Sequence, residues 1–252
     1  IISATWKPET HTLGFASEKS GLKTIYSLDM DNEKAKPQTI TSVHVEDLVL
    51  RWPVSDKIII EEKPSGLIRG SAWIFNLKKK LLSPLIQELY GLITTWDHYM
   101  VRGLSFSGGQ TGRGGALRII NSLGKTIDRL TFITVPSKCI FSANDTGAIA
   151  PASTSTKTVP LPQPNENTLY CATPRDQNIL SRSLLPDDYI KRVFYTSDNV
   201  YKINLESGLA TTIFDDTDKN IDVQNPLLLG NKYIFLNRLD NKIYALPLPA
   251  TN

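Results

Sequence analysis

Short apolar runs with alternating polar positions recur along the chain. Ile25-Tyr26-Ser27-Leu28-Asp29, Ala72-Trp73-Ile74-Phe75-Asn76-Leu77, Ala116-Leu117-Arg118-Ile119-Ile120-Asn121, Val200-Tyr201-Lys202-Ile203-Asn204-Leu205 and Ile243-Tyr244-Ala245-Leu246 share one pattern, with large residues on one face. A period of two places alternate side chains on the same side of the backbone, so each run predicts a β-strand. A second register lies ahead of the first. Trp6-Lys7-Pro8, Trp52-Pro53, Trp96-Asp97 and Phe141-Ser142 each close a short apolar run and precede a turn cluster, at spacings of 46, 44 and 45 residues. Self-similarity at about 40 to 45 residues is the signature of four-stranded propeller blades. The two registers together predict an all-β chain, a β-propeller of about five four-stranded blades.

Set against each other, the registers give one propeller domain, 1–252, of five repeats: about 1–42, 45–90, 91–135, 136–215 and 220–250. In repeat one, strands are expected near Ser3 to Trp6, Thr12 to Ala16, Thr24 to Leu28 and Gln38 to Thr41. Where Asp29, Asn76 and Asn204 end a strand and Gly or Lys follows, a hairpin turn is expected, because Asx side chains bond the nearby backbone. The Lys78-Lys79-Lys80 run caps one of these turns. Repeat five shows three strands, so the last blade is expected to be incomplete, with five blades here and six or seven in a parent chain. A completing strand from upstream chain or from a partner would close its open edge. Repeat four is overlong. Its segment 146–166 is dominated by Pro, Ser and Thr and is expected to form a mobile surface loop. Its segment 173–196 carries Leu184-Leu185, Tyr189-Ile190 and Val193-Phe194-Tyr195 and can pack. Ordered insertions are where a repeat scaffold places its specific function.

The repeats resemble the WD40-like propeller repeats of the TolB type, in which a first strand ends in a Trp-Ser-Pro-Asp-Gly turn and a third strand reads apolar-Tyr-x-apolar-Asp. Trp6-Lys7-Pro8-Glu9-Thr10 and Ile25-Tyr26-Ser27-Leu28-Asp29 match that pattern; Trp52-Pro53-Val54-Ser55-Asp56 and Trp96-Asp97-His98 are degenerate copies. The chain also resembles bacterial surface propellers that carry a pair of cysteines in one blade. The resemblance covers essentially the whole chain. Its motif is structural, so it implies a fold and carries over no catalytic residue.

Composition narrows the function classes. Of 252 residues, 40% are hydrophobic, enough for a substantial core, and 28 basic residues stand against 25 acidic ones. The basic residues are scattered, which gives no basic face for nucleic acid. No stretch approaches the roughly 20 apolar residues that a spanning helix needs. Ile1-Ile2-Ser3-Ala4 has neither an initiator methionine nor the shape of a signal peptide, so the chain reads as processed or excised. Cys139 and Cys171 fall on what are expected to be the first and second strands of repeat four. Opposed Cβ atoms on such strands lie about 4.5 to 5.5 Å apart, within modest adjustment of disulfide distance. The competing assignment is two buried free thiols of a reducing cytosol. The disulfide is favoured, and with it an oxidising, extracytoplasmic compartment: periplasmic, cell-surface or secreted.

Candidate chemistry is sparse. Leu185-Pro186-Asp187-Asp188-Tyr189 is the sharpest local feature, and Pro186, Asp187, Asp188 and Tyr189 form the candidate binding site. Paired carboxylates offer oxygen ligands to a polar ligand or hard cation; equally, Pro186 starts a short helix, an Asp caps it and Tyr189 anchors it. Gly108-Gly109-Gln110-Thr111-Gly112-Arg113-Gly114-Gly115 lacks the Lys-Ser/Thr of a phosphate loop and reads as a hairpin. Gly103-Leu104-Ser105-Phe106-Ser107 lacks the closing glycine of a nucleophile elbow. His11, His44 and His98 show no metal spacing, and two cysteines without nearby histidines make no zinc site, so neither metal nor cofactor is expected. Asn144-Asp145-Thr146 is a glycosylation sequon, relevant only in a eukaryote. Trp73 reads as blade core. The leading functional expectation is a non-enzymatic scaffold that binds a protein or cell-surface component through its loops. The alternatives are a carbohydrate-active hydrolytic propeller and a structural part of an envelope or pilus assembly. A hydrolase would need two acids about 5 to 10 Å apart in the funnel, with Glu46, Asp47, Asp97 and Asp145 as candidates.

Overall fold

Three consecutive isoleucines, Ile58, Ile59 and Ile60, are all but fully buried. Such a run fits only a strand with both faces covered, because alternate side chains point to opposite sides. Ile58 and Ile60 join a cluster with Ala16, Ile25, Val43, Leu48, Leu50, Trp52 and Phe75. Ile59 faces the other way, among Ala72, Ile86, Leu92, Met100 and Ile120. Each buried isoleucine contributes about 1.5 to 3 kcal/mol of transfer free energy.

The structure, a computed structural model, describes residues 1–142 and 167–248. Segment 146–166 and the sequon at Asn144 lie outside the described residues, as does Asp145. The chain divides into two compact units: Ile1–Pro136 with Asp176–Phe194, and Ser137–Arg175 with Tyr195–Asn252. The first unit holds three sheets, β1 (Ser3–Trp6) to β4 (Gln38–Val43) through β2 (Thr12–Lys19) and β3 (Leu22–Asp29); β5 (Leu48–Val54), β6 (Lys57–Glu62), β7 (Arg69–Asn76) and β8 (Leu81–Tyr90); and β9 (Ile93–Trp96), β10 (Arg102–Gly108), β11 (Gly115–Asn121) and β12 (Thr126–Arg129). It also holds two short helices, α1 (Gln177–Arg182) and α2 (Asp187–Ile190). The second unit contains β13 (Cys139–Phe141), β14 (Thr168–Pro174), β15 (Asp198–Asn204) and β16 (Ala210–Phe214), then β17 (Val223–Leu229), β18 (Lys232–Asn237) and β19 (Lys242–Pro247). Every sheet is an antiparallel meander in chain order, and the fifth has three strands among the described residues. These are the four complete blades and the incomplete last one that the repeat predicts.

The Asx turns form as expected. Asp29 accepts from the Asp31 amide at 3.0 Å and Asn76 from the Lys79 amide at 2.8 Å. Asn204 accepts from both Glu206 and Ser207 at 2.9 Å, ahead of Gly208 at φ 70°. Cys139 lies directly opposite Cys171 in the β13–β14 register, and the two are joined by a disulfide. In the second unit, Tyr170, Ala172 and Val200 pack against Ile221, Val223, Tyr233 and Phe235.

Candidate functional site

The segment 176–194 leaves the fourth sheet and joins the first unit. What receives it is backbone. A Cβ built on Gly66 would stand 2.6 Å from the Leu185 carbonyl oxygen, one on Gly91 2.8 Å from the same atom, and one on Gly108 3.0 Å. The Leu185 carbonyl therefore sits in a cradle that only glycines leave open. Gly91 and Gly112 also have positive φ, 60° and 73°, which glycine adopts without steric cost. The Leu185 amide donates to the Gly112 carbonyl at 3.2 Å, and the Gly114 amide to the Ser183 carbonyl at 3.0 Å. The glycine-rich hairpin that mimics a phosphate loop is thus the seat of the insertion. Leu185 is completely buried there, as is Leu180 of α1.

This docking fixes the four predicted binding residues. Pro186 precedes α2, and its Cδ lies against Gly91. Asp187 accepts from the Gly66 amide at 2.5 Å and from the Ser65 hydroxyl at 3.3 Å. Asp188 accepts from the Leu184 amide at 2.8 Å, while its own amide donates to the Leu184 carbonyl. Tyr189 is buried, with its ring 6.5 Å from that of Phe194. The two carboxylates are engaged by backbone donors and do not converge on a common point; Asp187 alone lines an open surface.

That surface is a cleft of about 370 Å³ bounded by Glu46, Asp47, Glu62, Lys63, Arg69 and Lys191 along with Asp187. Lys63 pairs with Asp47 at 3.4 Å, Lys191 approaches Asp187 at 4.0 Å, and Arg69 turns to Glu88 and the Tyr90 ring. Glu62 accepts from the Ser71 amide at 2.6 Å. Glu46 and Glu62 are left without a basic partner among the described residues, so the cleft has an acidic surplus. Ile68 lines it at 70% exposure, next to Leu67 at 68%, and Ile190 of α2 is 56% exposed. Glu46 and Asp47 came from the sequence as candidate acids. Glu62, Arg69 and Lys191 did not, since their approach depends on where the insertion docks.

Of the other two candidate acids, Asp145 lies outside the described residues and Asp97 is committed elsewhere. Asp97 is buried and accepts from the amides of Tyr99, Val101 and Arg102 at 3.1, 2.9 and 2.7 Å, closing the turn after β9. Glu61, also buried, takes the Arg51 Nε at 3.1 Å and the Thr94 hydroxyl. The histidines sit at exposed turns, His11 against Asp31 and His98 against Glu9. Trp73 is only half-buried, in a shallow cavity with Val43, His44 and Leu82. Among the described residues no group of three His, Cys, Asp or Glu side chains is placed to hold a metal.

The second unit holds the densest charge cluster. Lys138 Nζ donates to Asp198 Oδ2, to Asp222 Oδ1 at 2.6 Å and to the Thr196 hydroxyl at 2.8 Å. Arg238 binds Asp222 Oδ2 at 2.8 Å. All four charged side chains are at most 1% exposed. Burial pushes the Asp198 carboxyl above its ordinary range, against the pull of Lys138. Nothing in the alternating pattern marks these residues; each occupies a strand end or turn whose neighbours only the fold supplies.

No protein-family model matches the chain, and no curated protein matches it. Solved structures do. One is the TolB of Acinetobacter baumannii, with 10% identity, a TM-score of 0.50, and coverage of 97% of this chain and 53% of that one. Another is the β-propeller domain of the Trilobed protease from Pyrococcus furiosus, with 10% identity, a TM-score of 0.52, and coverage of 97% and 67%. The fold is a TolB-type β-propeller. The propeller also matches the structure of a nidogen/laminin complex, with 8% identity, a TM-score of 0.54, and coverage of 98% and 75%. The chain thus spans from about half to three quarters of the length of these structures.

Proposed function

We propose that this propeller is a non-enzymatic binding module that holds an extended protein segment in the cleft between the second sheet and α2. The carrying observation is the acidic surplus of that cleft, with Glu46 and Glu62 free of basic partners, beside exposed Leu67, Ile68 and Ile190. Those features select a segment bearing basic side chains flanked by apolar ones. The seat of α2 is rigid, held by backbone bonds and the glycine cradle, which limits the ordering cost of binding. The nidogen/laminin structure, a complex of two proteins, is in keeping with a protein partner. The disulfide supports an extracytoplasmic setting. A hydrolase needs acids that substrate can reach. Asp198 and Asp222, which share Lys138, are fully buried and closed to a substrate.

The test is binding to an array of extended peptides varied in basic and apolar content. Basic-apolar peptides are expected to bind, and Glu46→Lys and Ile68→Asp each to abolish binding. Binding that ignores peptide charge, or that survives both variants, sinks the reading. A second reading, a part of a larger assembly, rests on β19. It borders only β18 among the described residues, and Ile243 on it is 78% exposed. A strand from a partner added along β19 would complete the sheet. Its check is hydrogen exchange of the β19 amides, which should slow only when such a strand is present.

A further inference from the structure

We propose that Lys138 and Asp198 become joined by an autocatalytic isopeptide bond, with Asp222 as the proton relay. The inference is independent of the binding cleft and concerns the second unit alone. It starts from an asymmetry between the two oxygens of Asp198. Oδ2 accepts from Lys138 Nζ and from the Val223 amide, the latter at 2.8 Å. Oδ1 is buried with no hydrogen-bond partner. A buried carboxylate oxygen without a partner is unfavourable, and native interiors carry few such atoms. Amide formation removes one oxygen from this carboxyl group. Oδ2 stays as the amide carbonyl and keeps its bond from Val223, and the partnerless Oδ1 departs.

The chemistry balances without any further reactant. In the starting pair Lys138 is an ammonium and Asp198 a carboxylate. One proton passes from Nζ, by way of Asp222 Oδ1, to Asp198 Oδ1, giving an amine and a carboxylic acid with no change in total charge. Burial favours this neutral form, since a low dielectric disfavours both charges and raises the Asp198 carboxyl. The amine lone pair then attacks Asp198 Cγ, the Nζ–Cγ bond forms, and the C=O π pair moves to Oδ2. Asp222 accepts a second proton from Nζ and hands it to the Oδ1 hydroxyl. The Cγ–Oδ1 bond breaks, its electron pair leaves with water, and the carbonyl re-forms at Oδ2. The sum is ammonium plus carboxylate giving amide plus one water. Nothing is oxidised or reduced.

Asp222 is placed to take the proton from Nζ. Its Oδ1 lies 2.6 Å from Nζ, and its Oδ2 is fixed by Arg238 at 2.8 Å and the Thr196 amide at 3.1 Å. Those two donors fix Oδ2 and leave Oδ1 directed at Nζ, within reach of the proton to be moved. Full burial of the cluster also keeps bulk water from the intermediate. The resulting bond would lie beside the Cys139–Cys171 disulfide and tie residue 138 to the start of β15.

The experiment is the intact mass of the folded, full chain after reduction and denaturation. The expected mass falls below that of the sequence by one water, with a branched peptide joining Lys138 to Asp198 in the digest. Asp198→Asn should lose one ammonia instead, because its carboxamide nitrogen is then the leaving group. Asp222→Ala and Lys138→Arg should keep the full sequence mass. A wild-type chain at full mass, with Lys138 open to an amine reagent once unfolded, overturns the proposal; so does a water loss that maps to another residue. The wild-type mass decides by itself, whether or not each variant folds.

Discussion

The two units solve the burial of charged side chains in different ways. In the first, Asp187 and Asp188 are met by neutral backbone amides, and the insertion that carries them rests in a cradle of glycines. In the second, Lys138, Asp198, Asp222 and Arg238 are taken wholly out of water and balance one another, beside a disulfide. Amide donors cost less to desolvate than full charges and tolerate a partly open surface, which leaves Asp187 on the wall of a cleft. Full charges in a closed interior require every partner at once. The lesson is that Asp187 keeps a carboxylate at an open surface for recognition, whereas Lys138, Asp198, Asp222 and Arg238 are committed to the interior of their own unit.

The sharpest way to break this contrast is at Lys138. Measured against the chain at its full sequence mass, in which Lys138 and Asp198 are an ion pair, Lys138→Met leaves two buried carboxylates facing one arginine, and a loss of about 3 to 5 kcal/mol is expected in urea unfolding. A loss below about 1 kcal/mol, the range of a surface pair, would show that the cluster is not closed to water. Next comes the disulfide: Cys171→Ser should cost about 2 to 4 kcal/mol in the same assay. Gly91→Ala tests the cradle. The added Cβ meets Pro186 Cδ at 2.7 Å and the Leu185 oxygen at 2.8 Å, so a cost of about 1 to 3 kcal/mol and faster protease cleavage within 176–194 are expected. Gly21→Ala is its control, with φ 79° but nothing within 4 Å, and should show only the smaller backbone penalty. Asp187→Ala removes the acceptor of the Gly66 amide and should cost about 1 to 2 kcal/mol, visible first as exposure of the insertion. Smallest in stability is Glu46→Lys, expected within about 0.5 kcal/mol of wild type yet abolishing capture of basic peptides. Its retention of binding would move the recognition surface away from the cleft.

The alternating runs carried most of the fold. Val200 to Leu205 could be nothing but a strand with one face buried, and the 44-to-46-residue spacing of Trp6, Trp52, Trp96 and Phe141 set the number of sheets. Even the Cys139–Cys171 pairing was within reach, because a strand register follows from the positions of its turns. The candidate site was legible only in part. Asp187 and Tyr189 stood out by composition, and the anchoring role of Tyr189 follows from local spacing. The expected Asp cap does not form, since Pro186 stands at the N-cap of α2 with no side-chain bond and Asp187 turns to Gly66 instead. That Asp187 meets Gly66, 121 positions earlier in the chain, does not follow from local spacing.

Local periodicity by itself determined what is repeated here: strand, turn, three or four strands to a sheet, and an insertion apolar enough to pack. These follow from forces acting over a few residues, the alternation of side chains and the bonding of Asx groups to nearby amides. Tertiary structure alone decided where the insertion lands, which glycines must stay bare beneath it, and which four charges share one closed pocket. Those outcomes depend on distances between segments far apart in the chain, and no pattern of neighbours along a sequence encodes such a distance.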